Sequence, residues 1–296
     1  MQEEKTEIHI TPDFLDLEKI IGGKSPHLLK IMPRFLISYL KRVIHQTELN
    51  KDIWENRNDF GVDFATNILA SFGAIVTSTG LSNLPGEGRQ LLVSNHPLGG
   101  LDGMALMSET GKARRDILFP VNDLLLYLPN LRELFIPVNK HGSNAENIRI
   151  FNEAFASDNL ILYFPAGLVS RKNKGIIKDL EWKKTFLTRA QKFNRDIIPT
   201  HISGKNTNFF YNLAKWRKRL KIKANIEMLY LVDEMYKQKD QTVHITFGQP
   251  VPIGFFDKQH TAAQWAQLLR EYVYALGAGT RKNFIEWHKN NQTKQA

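Results

Sequence analysis

The chain has 296 residues and 34.1 kDa, with 40 Lys and Arg against 30 Asp and Glu, a formal net charge of +10. Hydrophobic residues make up 42% and aromatic residues 10%, enough to bury a core, so disordered and low-complexity classes are excluded. The charge is local: residues 171–223 hold 16 Lys and Arg against 3 Asp and Glu, and the rest of the chain sums to −3, which disfavours a uniformly basic nucleic-acid coat.

There is no Cys, hence no disulfide framework, thiolate nucleophile or Cys-based zinc site. The first residues, with Glu3, Glu4, Lys5 and Glu7, are unlike a basic-then-apolar signal peptide. The longest uncharged run, Phe64 to Gly86, is broken by polar residues and glycines and reads as a helix end followed by a strand, not as a membrane span. A soluble or surface-attached protein is expected.

In chain order, residues 1–33 give a polar start with short apolar patches and three prolines. Arg34–Gln46 carries Phe35, Leu36, Tyr39, Leu40 and Val43 at helical spacing. Asp59–Ser71 reads as a second helix and Ala74–Thr79 as a strand. Alternation follows: strand Gln90–Ser94, helix Leu101–Ala113, strands Ile117–Val121 and Phe135–Val138. Asn144–Ser157 is an amphipathic helix with Ile148, Phe151, Ala154 and Phe155 facing inward, capped from Ser143 or Asn144. Strand Leu160–Phe164, helix Trp182–Phe193, strands Ile197–Ile202 and Val243–Phe247, and helix Thr261–Leu276 complete the pattern. Short strands alternating with helices predict an α/β sheet domain. The expected organisation is a helical extension over 1–58, the α/β domain over 59–280, and a polar, fraying tail over 281–296.

Two stretches carry chemistry. In Asn95-His96-Pro97-Leu98-Gly99-Gly100-Leu101-Asp102-Gly103, a His and an Asp flank a glycine turn between a strand and a helix, where α/β proteins place ligand sites. The carboxylate can hold the imidazole in one tautomer and stabilise its protonated form, while the other ring nitrogen takes a proton from an alcohol. The same stretch also fits a glycine-rich turn with a capping Asp102 and a surface His96. In Phe164-Pro165-Ala166-Gly167-Leu168-Val169-Ser170-Arg171-Lys172-Asn173-Lys174, a buried-type strand ends at a turn followed by three cations, which suit an anionic group or simply a solvated loop.

These blocks, in this order, resemble the PlsC-type glycerolipid and lysophospholipid acyltransferases. Asn95-His96 to Asp102-Gly103 is similar to the family's first block, Leu134-Phe135-Ile136-Pro137-Val138 to the second, Phe164-Pro165-Ala166-Gly167 through Ser170-Arg171 to the third, and Ile197-Ile198-Pro199 to the fourth. The likeness covers roughly residues 75–250. It departs in three places. Five residues rather than four separate His96 from Asp102, a shift worth about 100° in a continuous helix but absorbable by a Gly-Gly turn. Asn139 and Lys140 stand where the second block ends in Arg. Ala166, Gly167, Leu168 and Val169 replace the Glu-Gly-Thr-Arg associated with a glycerol-phosphate acceptor. The wording looks more like the bacterial branch that O-acylates lyso-aminoacyl lipids such as ornithine or glycine lipids.

The resemblance implies an α/β fold with a central mixed sheet flanked by helices. It implies catalysis by His96 as base and Asp102 as its orienter. It places substrate-binding residues at Asn95, Gly99, Gly100, Gly103, Asn139, Lys140, Pro165, Gly167, Ser170 and Arg171. The implied reaction moves an acyl group from an acyl carrier protein or coenzyme A thioester to a lyso-lipid hydroxyl, with no cofactor and no metal. Backbone N–H groups near Gly99–Gly103 are the candidate oxyanion donors. Acylation of 1-acylglycerol-3-phosphate is the alternative acceptor chemistry.

Lys215-Trp216-Arg217-Lys218-Arg219-Leu220-Lys221-Ile222-Lys223 holds six cations in nine residues, interrupted by apolar side chains. It suits an anionic membrane on the cytoplasmic face of the inner membrane, or an acidic carrier protein, with Lys215, Trp216, Arg217, Lys218 and Arg219 as contacts. The Arg34–Gln46 helix either adds an apolar foot or packs on the domain. A non-catalytic basic membrane- or nucleic-acid-binding protein is the rival class; the concentrated charge argues against nucleic acid as a partner. Gly22-Gly23-Lys24-Ser25 matches a P-loop end, but Glu18 occupies the first glycine position, and no His cluster has metal spacing.

Overall fold

In the computed structural model, which describes residues 10–121, 128–137, 144–223 and 225–293, the chain from Leu17 to Glu55 is a succession of four helices. α1 (Leu17–Lys24) starts where the Asp16 carboxylate accepts the Glu18 and Lys19 N–H groups. α2 (Pro26–Ile31) starts with Ser25 capping the Leu28 N–H and proline in the first turn. The helix expected over Arg34–Gln46 ends at Val43 as α3 (Arg34–Val43). His45, at φ +49°, turns the chain into α4 (Gln46–Glu55). Then come α5 (Gly61–Ser71), β1 (Ile75–Thr79), β2 (Gln90–Ser94), α6 (Gly100–Thr110), β3 (Ile117–Val121), β4 (Phe135–Pro137), α7 (Asn144–Ala156) and β5 (Leu160–Tyr163).

After β5 the chain forms a hairpin of β6 (Arg171–Asn173) and β7 (Ile176–Lys178). Its two turn residues, Lys174 and Gly175, both have positive φ, the twist a two-residue hairpin needs. α8 (Thr185–Phe193), β8 (Asp196–Ile202), α9 (Asn208–Arg219), α10 (Leu231–Tyr236), β9 (Thr242–Phe247), α11 (Ala262–Gly277) and α12 (Phe284–Thr293) follow. α12 corrects the expectation of a fraying tail after Arg281: Phe284 and His288, one turn apart, are buried against Phe255, Trp265 and Tyr272. Ile148 on α7 is 49% exposed, outside the inward face where Ala154 and Phe155 lie.

Seven strands form one sheet in the order β1-β9-β8-β2-β5-β3-β4. Neighbours are parallel except β8 and β9, which run antiparallel, so the sheet is mixed. Alternation along each central strand divides the core. Leu92, Leu160, Leu162 and Ile198 join α5 and α6 on one face, while Leu91, Val93, Ile161 and Ile197 join α8 and α11 on the other. Two cations lie within this core. Arg195 has no exposed surface and donates to carbonyls at the end of α7, and burial lowers its guanidinium to about 10. Arg114 donates to Asp116 and to the Gly88 carbonyl.

Candidate active site

β2 pairs with β5 through Val93 opposite Tyr163, and with β8 through Ser94 opposite Thr200. Three neighbouring parallel strands therefore end together, and their C-terminal loops carry His96, Phe164 to Ser170, and Ser203 to Thr207. Asn95 ties two of these loops. Its Nδ2 donates to the Ile202 carbonyl at 2.8 Å and its Oδ1 accepts the Ile202 N–H at 2.7 Å. It is a clamp rather than an open binding group.

Asp102 lies in the first turn of α6 with no exposed surface. Its Oδ2 accepts from His96 Nδ1 at 2.9 Å, from the Leu98 N–H at 2.8 Å and from the Gly99 N–H at 3.0 Å. Burial raises the Asp102 carboxyl above its ordinary range, against the pull of the imidazole and the two amides. A proton fixed on Nδ1 leaves the lone pair on Nε2, which has no hydrogen-bond partner among the described residues. The ring stacks on Phe164 at 4.1 Å and 15°, with Phe119 edge-on to Phe164 at 5.3 Å. His96 keeps 17% of its side chain exposed. One nitrogen is locked and the other open on the solvent side of a stacked ring, the arrangement a general base needs.

The extra residue between His96 and Asp102 is absorbed as the sequence allows. His96 precedes α6, so no helical phase links the two side chains, and Gly99 turns the chain at φ +88°. The other glycines serve packing. A Cβ on Gly99 would stand 3.0 Å from Leu231, on Gly100 3.1 Å from the Met235 sulfur, and on Gly103 2.9 Å from Phe119. With the Gly99 amide held by Asp102 and the Asp102 amide bonded to the Gly99 carbonyl, neither is open to an oxyanion.

The third block is structural to a greater degree than its motif suggests. The Pro165 carbonyl accepts the Lys183 N–H at 3.1 Å, and Gly167 turns the loop at φ +65° with its N–H on the Phe164 carbonyl. Ser170 is buried; its N–H donates to the His96 carbonyl at 2.7 Å and its Oγ to Asp179 at 2.6 Å. Arg171 is not an open anion site: its Nη2 lies 3.1 Å from the buried Glu227, whose other oxygen is 2.8 Å from Arg217 Nε. Arg217 is therefore half-buried and paired, whereas Lys215, Trp216, Lys218 and Arg219 are exposed. Asn139 and Lys140 lie outside the described residues. His201, at the end of β8, is packed under Gly277 and edge-on to Tyr274; burial and the nearby His244 lower it to about 4.

Sequence reasoning missed Asp179 and Glu227. Both sit among the basic residues or just past them, where each reads as one acid in a charge count. No motif spacing marks them, and only their burial reveals what they hold.

Residues 19–281 match the family model described as acyltransferase. The chain belongs to the acyltransferase family. It is 48% identical over 278 residues to a lyso-glycine lipid O-acyltransferase of Phocaeicola vulgatus, covering 92% of this chain and 100% of that protein. A lyso-glycine lipid O-acyltransferase of Bacteroides thetaiotaomicron is 46% identical over 264 residues, covering 88% and 97%. The crystal structure of the 1-acyl-sn-glycerophosphate acyltransferase PlsC from Thermotoga maritima overlaps with a TM-score of 0.48 at 17% identity, covering 89% of this chain and 91% of that one. The protein is thus an acyltransferase, and the family match extends beyond the four blocks to residues 19–281.

Proposed function

We propose that this enzyme transfers a fatty acyl group from an acyl thioester to the hydroxyl of a lyso-aminoacyl lipid, a lyso-glycine lipid foremost. The observation that carries this reading is the His96–Asp102 couple with Nε2 open, joined to two relatives near 50% identity that bear that activity in their names. His96 Nε2 takes the proton of the acceptor hydroxyl as its oxygen attacks the thioester carbonyl. When the tetrahedral adduct collapses, the C–S bond breaks and the imidazolium returns the proton to the departing thiolate. Asp102 holds the ring and balances its transient charge. The donor is a thioester of acyl carrier protein or coenzyme A, no covalent acyl-enzyme is required, and no cofactor or metal enters.

Acylation of a glycerol phosphate is disfavoured by one observation. The third-block cation Arg171 is held by the buried Glu227 and by the Val169 carbonyl, so its guanidinium is not free to grip a phosphate.

The enzyme meets its substrate, in this reading, as a peripheral protein on the cytoplasmic face of the membrane. No helix among the described residues is long and apolar enough to cross a membrane. Instead Leu28, Ile31 and Phe35 on α2 and α3 point outward, Phe35 at 76% exposure, while Ile37 points in. Tyr39 joins this foot to the second one: its hydroxyl lies 2.7 Å from that of Tyr230, against which Phe209 of α9 packs edge-on. Trp216 and Leu220 on and just past α9 are exposed beside Lys215, Lys218, Arg219, Lys221 and Lys223. Apolar side chains among cations suit an anionic lipid surface, at about 1 kcal/mol per cation. An acidic carrier protein is the other partner this charge fits.

The direct test supplies the purified enzyme with acyl-carrier-protein and coenzyme A thioesters and with lyso-glycine lipid, lyso-ornithine lipid and lysophosphatidate in parallel. Preferential consumption of an aminoacyl acceptor supports the reading. Preferential consumption of lysophosphatidate overturns it.

A further inference from the structure

The His96 peptide is held from a direction that the His–Asp motif does not describe. Asp179 follows β7 and is 2% exposed. Its Oδ1 accepts the His96 N–H at 3.1 Å and the Ser170 hydroxyl at 2.6 Å, and its Oδ2 accepts the Trp182 indole N–H at 2.9 Å. The Ser170 N–H in turn donates to the His96 carbonyl at 2.7 Å. A closed circuit results: both polar groups of the residue-96 backbone lead to Asp179, one directly and one through Ser170. Asp179 is itself anchored on α11, because its N–H donates to the Tyr274 hydroxyl at 2.7 Å and its carbonyl accepts from Arg270. Among the described residues no Lys or Arg pairs with its carboxylate, so three neutral donors satisfy a buried charge. A buried, donor-satisfied carboxylate is costly to retain and rigid once satisfied.

We propose that Asp179 is a positioning residue for acyl transfer: its carboxylate fixes the His96 main chain so that the imidazole keeps its Asp102 bond and presents Nε2 to the acceptor. The proposal rests on His96 being the base. Asp102 sets the tilt of the ring through Nδ1, while Asp179 sets where the ring is attached. Two carboxylates, one on the ring and one on the main chain, thus define its place, and a displacement of about 1 Å at such a centre lowers turnover about 100-fold. The circuit also links the first and third blocks physically. Ser170 reads as substrate-binding by motif, yet its two hydrogen bonds run to His96 and Asp179.

The test exploits the fact that aspartate has two accepting oxygens and asparagine only one. In Asp179→Asn, an amide oxygen turned toward Trp182 sets the amide N–H₂ against the His96 N–H. Turned the other way, the amide opposes the indole N–H. The buried indole is the harder group to move, so the His96 peptide is displaced. Asp179→Asn is expected to lose about 100-fold in kcat, with acceptor KM changing by less than about threefold, because binding is left while geometry is lost. Adding Trp182→Phe removes the competing donor and frees the amide oxygen for His96 and Ser170. The double variant D179N/W182F is expected to regain at least about tenfold in kcat despite its poorer packing, a recovery that a purely structural role cannot give. Ile53→Ala, a cavity in α4, which carries no residue of this circuit, is the control for general destabilisation and should keep kcat per folded molecule.

An Asp179→Asn enzyme within about threefold of wild-type kcat, or a double variant no better than the single one, overturns the proposal. If neither variant folds, Ser170→Ala carries the test, because it leaves the carboxylate in place. A loss of about tenfold in kcat at unchanged KM supports the circuit, and unchanged kcat overturns it. Should His96→Ala remain active, the failure lies with the base assignment. Should His96→Ala be inactive and D179N fully active, it lies with Asp179 alone.

Discussion

Glu227 offers the sharpest stability test because one buried carboxylate serves two cations. It has no exposed surface, and its oxygens lie 3.1 Å from Arg171 Nη2 and 2.8 Å from Arg217 Nε, with those side chains 16% and 15% exposed. Replacing Glu227 by Gln keeps the shape and removes the charge, leaving two guanidinium groups converging on a neutral amide. Breaking one partner of a buried pair costs about 3–5 kcal/mol. Both arginines retain an edge to water, so the lower end applies, about 3 kcal/mol. For a chain of this size each kcal/mol moves the melting temperature by about 1.6 °C, giving a fall of about 5 °C. Calorimetry on wild type and Glu227→Gln measures it, and acceptor kinetics on Arg171→Ala complete the argument. Arg171→Ala should lower the melting temperature while leaving acceptor KM within about threefold. A Glu227→Gln protein melting within about 2 °C of wild type would refute the reasoning about the ion pair. An Arg171→Ala enzyme with unchanged melting and a tenfold higher acceptor KM would restore Arg171 to the substrate site.

Other expectations follow from single contacts. His201 is lowered from an ordinary value of 6.5 to about 4 by burial, so its neutral form stabilises the fold fully above pH 6.5, and that contribution, up to about 3 kcal/mol, is lost as pH falls toward 4. Urea titrations at pH 7 and pH 4.5 should show this loss in wild type and a smaller one in His201→Gln; equal losses would refute it. A methyl group on Gly277 would overlap the His201 ring, so Gly277→Ala should cost about 1–3 kcal/mol, and a neutral effect on urea denaturation would contradict the packing. Co-sedimentation with anionic vesicles should weaken by about tenfold or more in Lys218→Ala/Arg219→Ala, whose side chains are exposed, at about 1 kcal/mol per cation. High salt should reduce binding of wild type toward the variant; equal binding at low salt would remove α9 from the membrane surface.

How far the sequence led differs from place to place. The central strands Gln90–Ser94 and Ile117–Val121 were legible to the residue because continuous apolar runs bounded by polar residues are what a doubly covered sheet demands. The hairpin Arg171–Lys178 was not legible: its Lys174-Gly175 turn lies in a stretch where polar cations hide the alternation. Residues 215–223 read as a charge run, although the run begins inside α9, where Phe210, Tyr211 and Ala214 bury one face at helical spacing. α12 was hidden by a polar composition that its Phe284 and His288 anchors override. At the site, His96 and Asp102 were visible because their chemistry sits in one short turn. Arg171 was assigned to the substrate because its partner Glu227 is 56 residues away. Asp179 escaped notice because a residue that acts through hydrogen bonds to another loop leaves no local pattern.

The central claim is that the open Nε2 of His96 drives acyl transfer. The most direct measurement is single-turnover transfer of a radiolabelled acyl group from a thioester to lyso-glycine lipid by wild type and by His96→Ala, each shown to be folded by its melting transition. Product is expected from the wild type, with a loss of about 10²–10⁴-fold in the variant, the range a positioned base supplies. A folded His96→Ala protein that forms product at the wild-type rate would contradict it.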